Sequence, residues 1–257
     1  MKARSHYAVV ARYTTLERLA QIAKDQWGLV TRRQAQLAGV SRATLQRLAS
    51  RGILKRVTHC VYQLSGTPTA DHLELRAAWL QLAPDVPAWE RTPEQGVVSH
   101  RSAAALYGLS HLPADRHEFT LPDRRQSRRA DVRLHHRPLR ANESNSVQGM
   151  LVTRPSRIAS DLLYDNEDPG AVGHVIADAI RGAHDYPRDF AVSIAPHAAR
   201  FGLRRGDGLP LLQWLLDLVG DPDTNRWMDD ARANINGTLA LTETNAGAVH
   251  HQLGSSP

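Results

Sequence analysis

Between Thr14 and Leu64 the chain repeats one punctuation three times: a Thr or Ser opens a short stretch of apolar periodicity and a glycine closes it. Leu16, Leu19, Ala20 and Ala23 recur at helical spacing after Thr14, and Gly28 ends that element. Thr31 precedes RRQAQLAG, which stops at Gly39, and Ser41 caps RATLQRLAS, which stops at Gly52. Residues 53–57 and 61–64 then read as two β-runs joined by Thr58, His59 and Cys60, a hairpin. Three helices and a hairpin in about fifty residues predict a winged helix-turn-helix.

Charge singles out the same segment. Residues 1–65 carry 12 Lys and Arg against two acids, Glu17 and Asp25, whereas the remainder carries 20 basic and 24 acidic residues. A surface that needs only solubility mixes signs. One-sign charge over a packed frame predicts a polyanionic partner, here double-stranded DNA. On a wheel of 100° per residue, Leu45, Leu48 and Ala49 of the third helix turn towards the first two helices. The opposite side holds Ala43, Gln46, Arg47 and Ser50, flanked by Arg42, Thr44 and Arg51. Gln46 suits an adenine edge, Arg47 a guanine edge, and Ala43 or Thr44 a thymine methyl. Ser41 and the N–H groups of the helix start favour a phosphate. Arg32 and Arg33 at the start of the second helix suit phosphate contact, and Lys55, Arg56 and His59 on the hairpin are expected along the adjacent backbone or minor groove.

After a linker of turn-forming composition, SGTPTA at 65–70, the chain changes character. Helices are predicted at 71–82, after Ser99 (HRSAAALYG), from Pro155 (RPSRIASDLL), and at about 170–182, 187–200, 208–219 and 222–235. Strands are predicted at 117–121, 131–136 and 149–153, with a proline-rich loop at 84–96 and a basic loop, PDRRQSRRA, between the first two strands. The expected class is α+β. Residues 1–66 form a winged helix-turn-helix and 67–236 a mixed domain with a small sheet and many helices, before a disordered tail at 237–257. The apolar runs are too short for a signal peptide or a membrane span, so the expectation is a cytoplasmic, nucleoid-associated protein with no membrane partner.

Four segments together resemble a known family: GLVTRRQAQLAGVSRATLQRLASRGILKRVTHCVYQL, VVSHRSAAALYGLSHLP, VRLHHRPL and VTRPSRIASDLL. Over roughly residues 14–165 the chain is similar to the AbiEi-type antitoxins, the regulator halves of abortive-infection toxin–antitoxin pairs. The resemblance implies a winged helix that binds inverted repeats in its own promoter. It also implies a second domain that counters a nucleotidyltransferase-like toxin encoded next door. That family usually has a glycine just before the VY of the wing, where this chain has Cys60, so the wing turn is expected to differ there.

Catalysis and cofactors are not expected. No lysine follows Lys55, which removes the acid-x-Lys signature of a restriction-type nuclease from the second half, and no Gly-Lys pair exists to build a phosphate loop. Ser99 beside His100 reads as a capping serine rather than a nucleophile, and no acid or second histidine is fixed beside them by the sequence. His135 and His136 alternate across a strand and cannot share a metal. Cys60, the single cysteine, allows no internal disulfide. Arg124, Arg125, Arg128 and Arg129 form a run that reads first as a solvated loop and second as another nucleic-acid or toxin contact. Two other readings stand beside the antitoxin: a stand-alone regulator whose second domain binds a ligand or protein, and a winged helix fused to a degenerate nuclease.

Overall fold

Thr14 and Thr31 each close a reciprocal cap. In the computed structural model, which describes residues 14–109 and 112–233, Thr14 Oγ1 accepts from Glu17 N at 3.3 Å while Thr14 N donates to the Glu17 carboxylate at 2.6 Å. That box starts α1 (Thr15–Ala23). Thr31 and Gln34 repeat it, with both bonds at 3.0 Å, at the start of α2 (Arg32–Leu37). Ser41 opens α3 (Arg42–Ser50), its Oγ accepting from Thr44 N at 3.1 Å. The wing is β2 (Leu54–Thr58) and β3 (Val61–Leu64), paired antiparallel. A third strand that the sequence did not suggest, β1 (Leu29–Thr31), pairs with β3 and completes a sheet of order β1-β3-β2. Leu19, Val30, Ala35, Val40, Leu45, Leu54 and Tyr62 form the core beneath it.

The chain divides into two compact units, the first ending at Gln95 rather than at the compositional boundary of residue 66. Helix α4 (Leu73–Leu82) packs on β1, β2 and β3. The proline-rich segment that follows bonds back to the start of α2. Thr31 Oγ1 donates to Pro84 O, Gln34 Nε2 to Val86 O at 3.3 Å, and Ala88 N to Gln26 Oε1 at 3.3 Å. Buried Arg91 donates to the carbonyls of Trp79, Leu80 and Ala83, which α4 leaves without helical partners at its end. Burial lowers the Arg91 guanidinium to about 10, so it stays cationic while it caps.

The second unit, from Gly96, is built on a five-stranded sheet of order β6-β5-β4-β8-β7. Its strands are β4 (Val97–Val98), β5 (His117–Leu121), β6 (Val132–His136), β7 (Ser144–Val147) and β8 (Met150–Thr153), of which β4 and β7 were not foreseen. β5 and β6 run parallel, so the ten residues 122–131 between them form a crossover and not a hairpin turn. Helix α5 (His100–Tyr107) lies against β5 and β8 and packs on α6 (Pro155–Tyr164). Asp185 caps α6 from outside the helix, accepting from Ser156 N at 3.0 Å and from Arg154 Nη2. Helices α7 (Pro169–Arg181) and α8 (Pro187–Ile194) pack on α6, and α9 (Gly208–Leu218) packs on α7 and α8. The helix expected to reach residue 200 changes after Ile194 to a 3₁₀ segment, Ala195–Phe201, where Pro196 removes an N–H donor. Residues 224–233 are helical, and the expected tail at 237–257 lies outside the described residues. The fold is α+β, a winged helix followed by a mixed domain. No helix among the described residues is long and apolar enough to cross a membrane.

Candidate nucleic-acid interface

Burial along α3 follows the wheel. Leu45 is fully buried and Leu48 and Ala49 are half-buried, while Arg42, Ala43, Gln46, Arg47, Ser50 and Arg51 are exposed. Thr44, on the flank, is half-buried. Two hydroxyls on this face are already engaged. Ser41 Oγ also donates to Thr44 Oγ1 at 3.0 Å, and Ser50 Oγ donates back to Arg47 O at 3.0 Å. The donors left for an anion at the helix start are therefore the backbone N–H groups of Arg42 and Ala43, not the serine side chain.

Lys55, Arg56 and His59 project from the wing and are exposed. Arg56 is steered by its own turn, donating Nε–H to Thr58 O at 3.4 Å and meeting His59 Nδ1 at 3.2 Å. Arg32 is half-buried and Arg33 exposed. With His59 they border one cleft of about 490 Å³, whose walls also include Gln36, Gln81 and Asp85. Gln81, on α4, donates to His59 O and so ties the wing tip to a helix that sequence reasoning had assigned to the next domain. Among the described residues none of Arg32, Arg33, Arg42, Arg47, Arg51, Lys55 and Arg56 makes an ion pair. The only two acids of residues 1–65 are spent elsewhere, Glu17 on the α1 cap and Asp25 beside Lys24 at 3.8 Å.

Cys60 sits at a φ of +60°, the left-handed conformation that glycine adopts without cost. Thr58 pairs with Val61 across the turn, with a register shift between Arg56 and Thr58. The cysteine holds this angle and carries its strain.

The sites set aside in the second half are rearranged more deeply. Arg124, Arg125 and Arg128 are exposed on the 122–131 crossover, but Arg129 is half-buried against Asp131, at 2.9 Å from Nε to Oδ1. That bond lowers the Asp131 carboxyl to about 2. Ser99 makes no side-chain cap. Its Oγ lies 2.9 Å from His100 Nδ1, and both residues are buried. The acid and second histidine that the sequence could not place beside them are Glu118 and His135, brought there by β5 and β6. His136 points to the other face and is exposed, as strand alternation requires.

Residues 17–65 match the family described as "Transcriptional regulator, AbiEi antitoxin". The match runs from the first turn of α1 to the end of the wing, so this winged helix is of the AbiEi-antitoxin regulator type. No curated protein is detectably similar to the chain.

Proposed function

We propose that the protein is a DNA-binding repressor that silences its own operon and acts as the antitoxin of an abortive-infection pair. The observation that carries this reading is the basic surface of α2, α3 and the wing, seven cationic side chains with no ion-paired acid among the described residues. A face so charged gains more from phosphates than from water, because each contact releases a condensed counterion. Arg47 and Gln46 read base edges in the major groove, and Arg42, Arg51, Lys55 and Arg56 hold the backbone on either side. Arg32, Arg33 and His59 take a phosphate at the cleft they share. Dimeric binding matches inverted repeats in the promoter. The second unit counters a nucleotidyltransferase-like toxin, and no step in this role is catalytic.

The test follows the unit boundary at Gln95. A fragment of residues 1–95 should shift DNA from upstream of its own gene. A fragment of 96–257 should rescue cells that express the neighbouring toxin. Rescue by 1–95 alone, or no preference of 1–95 for the upstream DNA over random duplex, would overturn the assignment. A second reading, a regulator whose second unit binds a small ligand, draws on a polar cleft of about 290 Å³ beside His100, Arg133 and Asp165. The absence of a toxin gene beside this one would favour it.

A further inference from the structure

Within the second unit, two buried imidazoles stack face to face, His100 from the first turn of α5 and His135 from β6, with centroids 3.5 Å apart and planes 12° from parallel. Each has one nitrogen held. His100 Nδ1 meets Ser99 Oγ at 2.9 Å, and His135 Nε2 meets Glu118 Oε2 at 2.7 Å. The nitrogens that remain, His100 Nε2 and His135 Nδ1, each lie 3.8 Å from one carboxylate oxygen, Asp165 Oδ2. His100 Nε2 has no hydrogen-bond partner although the residue is 1 % exposed.

We infer that His100 Nε2, His135 Nδ1 and Asp165 Oδ2 form a site for a divalent transition metal of the zinc type, independent of the DNA-binding face. The donor set is two imidazoles and a carboxylate, the combination that binds zinc with a fourth position left open. Ligand atoms about 2.1 Å from a tetrahedral ion lie about 3.4 Å apart, so the two 3.8 Å edges that meet at Asp165 Oδ2 need to contract by a few tenths of an ångström. The 2.7 Å contact of Glu118 is too short for such an edge and is a hydrogen bond. Glu118 and Ser99 are thus the groups that fix the tautomers and leave the inward lone pairs free. Entry of the ion tilts one ring out of the stack, because near-parallel lone pairs do not converge on one point.

Charge and access both bear on the site. Four arginines surround it, and acids already answer them: Arg137 pairs with Asp161 and Asp165, Arg157 with Asp161 and Glu143, and Arg101 with Glu167. Arg133 is half-exposed and 3.1 Å from Asp165 Oδ2, and it is the cation that the metal displaces. The 290 Å³ cleft reaches the site between Arg116, Arg133 and Glu167 and supplies the path inward.

Chelator-treated full-length protein titrated with Co²⁺ alone should show the intense visible bands of a four-coordinate ion at one equivalent. Zn²⁺ should displace them and raise the melting temperature. His135→Ala should abolish the bands and Ser99→Ala should weaken Co²⁺ binding 10- to 100-fold. His136→Ala, and the double change His250→Ala with His251→Ala in the tail outside the described residues, should leave binding unchanged. Only weak six-coordinate bands, bands that survive His135→Ala, or bands lost with the tail histidines would overturn the site. Should His135→Ala fail to fold, Ser99→Ala decides, since an unchanged affinity there would also overturn it.

Discussion

Seven basic side chains between Arg32 and Arg56 and four arginines around Asp161 and Asp165 use one chemistry to opposite ends. Over residues 32–56 the cations stand on a small apolar frame and, among the described residues, none of them makes an ion pair. In the second unit Arg137 and Arg157 are largely buried, Arg101 is partly exposed, and each meets a carboxylate within 3.0 Å. The difference lies in the supply of acids and in burial, not in the arginines. Residues 1–65 contain two acids and spend both on other tasks, so their cations are left for a partner. In the second unit the acids tie helix α6 to strand β6 and the residue after it, and removing one leaves buried cations with fewer partners.

The largest test of that contrast is Asp161→Ala. Arg137 and Arg157 donate to this buried carboxylate at 3.0 and 2.9 Å, yet each keeps a second acid, Asp165 and Glu143. The cost should fall at the low end for a broken buried pair, about 3 kcal/mol, seen as a lower melting temperature with DNA affinity intact. A neutral result would mean that the buried cluster is as expendable as surface charge. Next comes Arg47→Ala, expected to cost about 1–3 kcal/mol of specific binding and to relax selectivity at one base pair while the melting temperature stays put. Equal loss on operator and random DNA would reassign Arg47 to the phosphates. Lys55→Ala should weaken binding to every sequence alike and reduce the slope of log affinity against log salt by about 1. An unchanged slope would make Lys55 a solvated bystander. The smallest effect is Cys60→Gly. Relief of the left-handed angle outweighs the extra chain entropy of glycine, for a gain of about 0.5–1 kcal/mol in thermal stability, and a loss would show that the side chain packs usefully.

The first unit was the more legible because its signals are local. A Thr or Ser, a helical period and a glycine lie within one turn of what they control, and α1, α2, α3 and the wing all follow from them. What escaped there was short or distant. Strand β1 is three residues squeezed between a glycine and a cap, and the bonds from Pro84 and Val86 to the start of α2 span more than fifty positions. In the second unit the decisive relations are all of the distant kind. Ser99 stands where a cap belongs, and only its partner reveals another use. Glu118 and His135 meet because β5 and β6 run parallel with Thr120 opposite His135, a register that no periodicity encodes.

That parallel register also fixes how far residues 122–131 must travel. The chain leaves the end of β5 and must regain the beginning of β6, a return of about 16 Å along a five-residue strand at about 3.3 Å per residue. Ten residues reach at most about 33–36 Å when fully extended, and the route must clear the sheet on the way. The arginine-rich segment is therefore a measured tether as well as a surface. It can lengthen at little cost, but losing a few residues would pull His135 away from Glu118 or force the strand to slip. Arg124, Arg125 and Arg128 lie exposed along it, while Arg129 anchors its far end on Asp131.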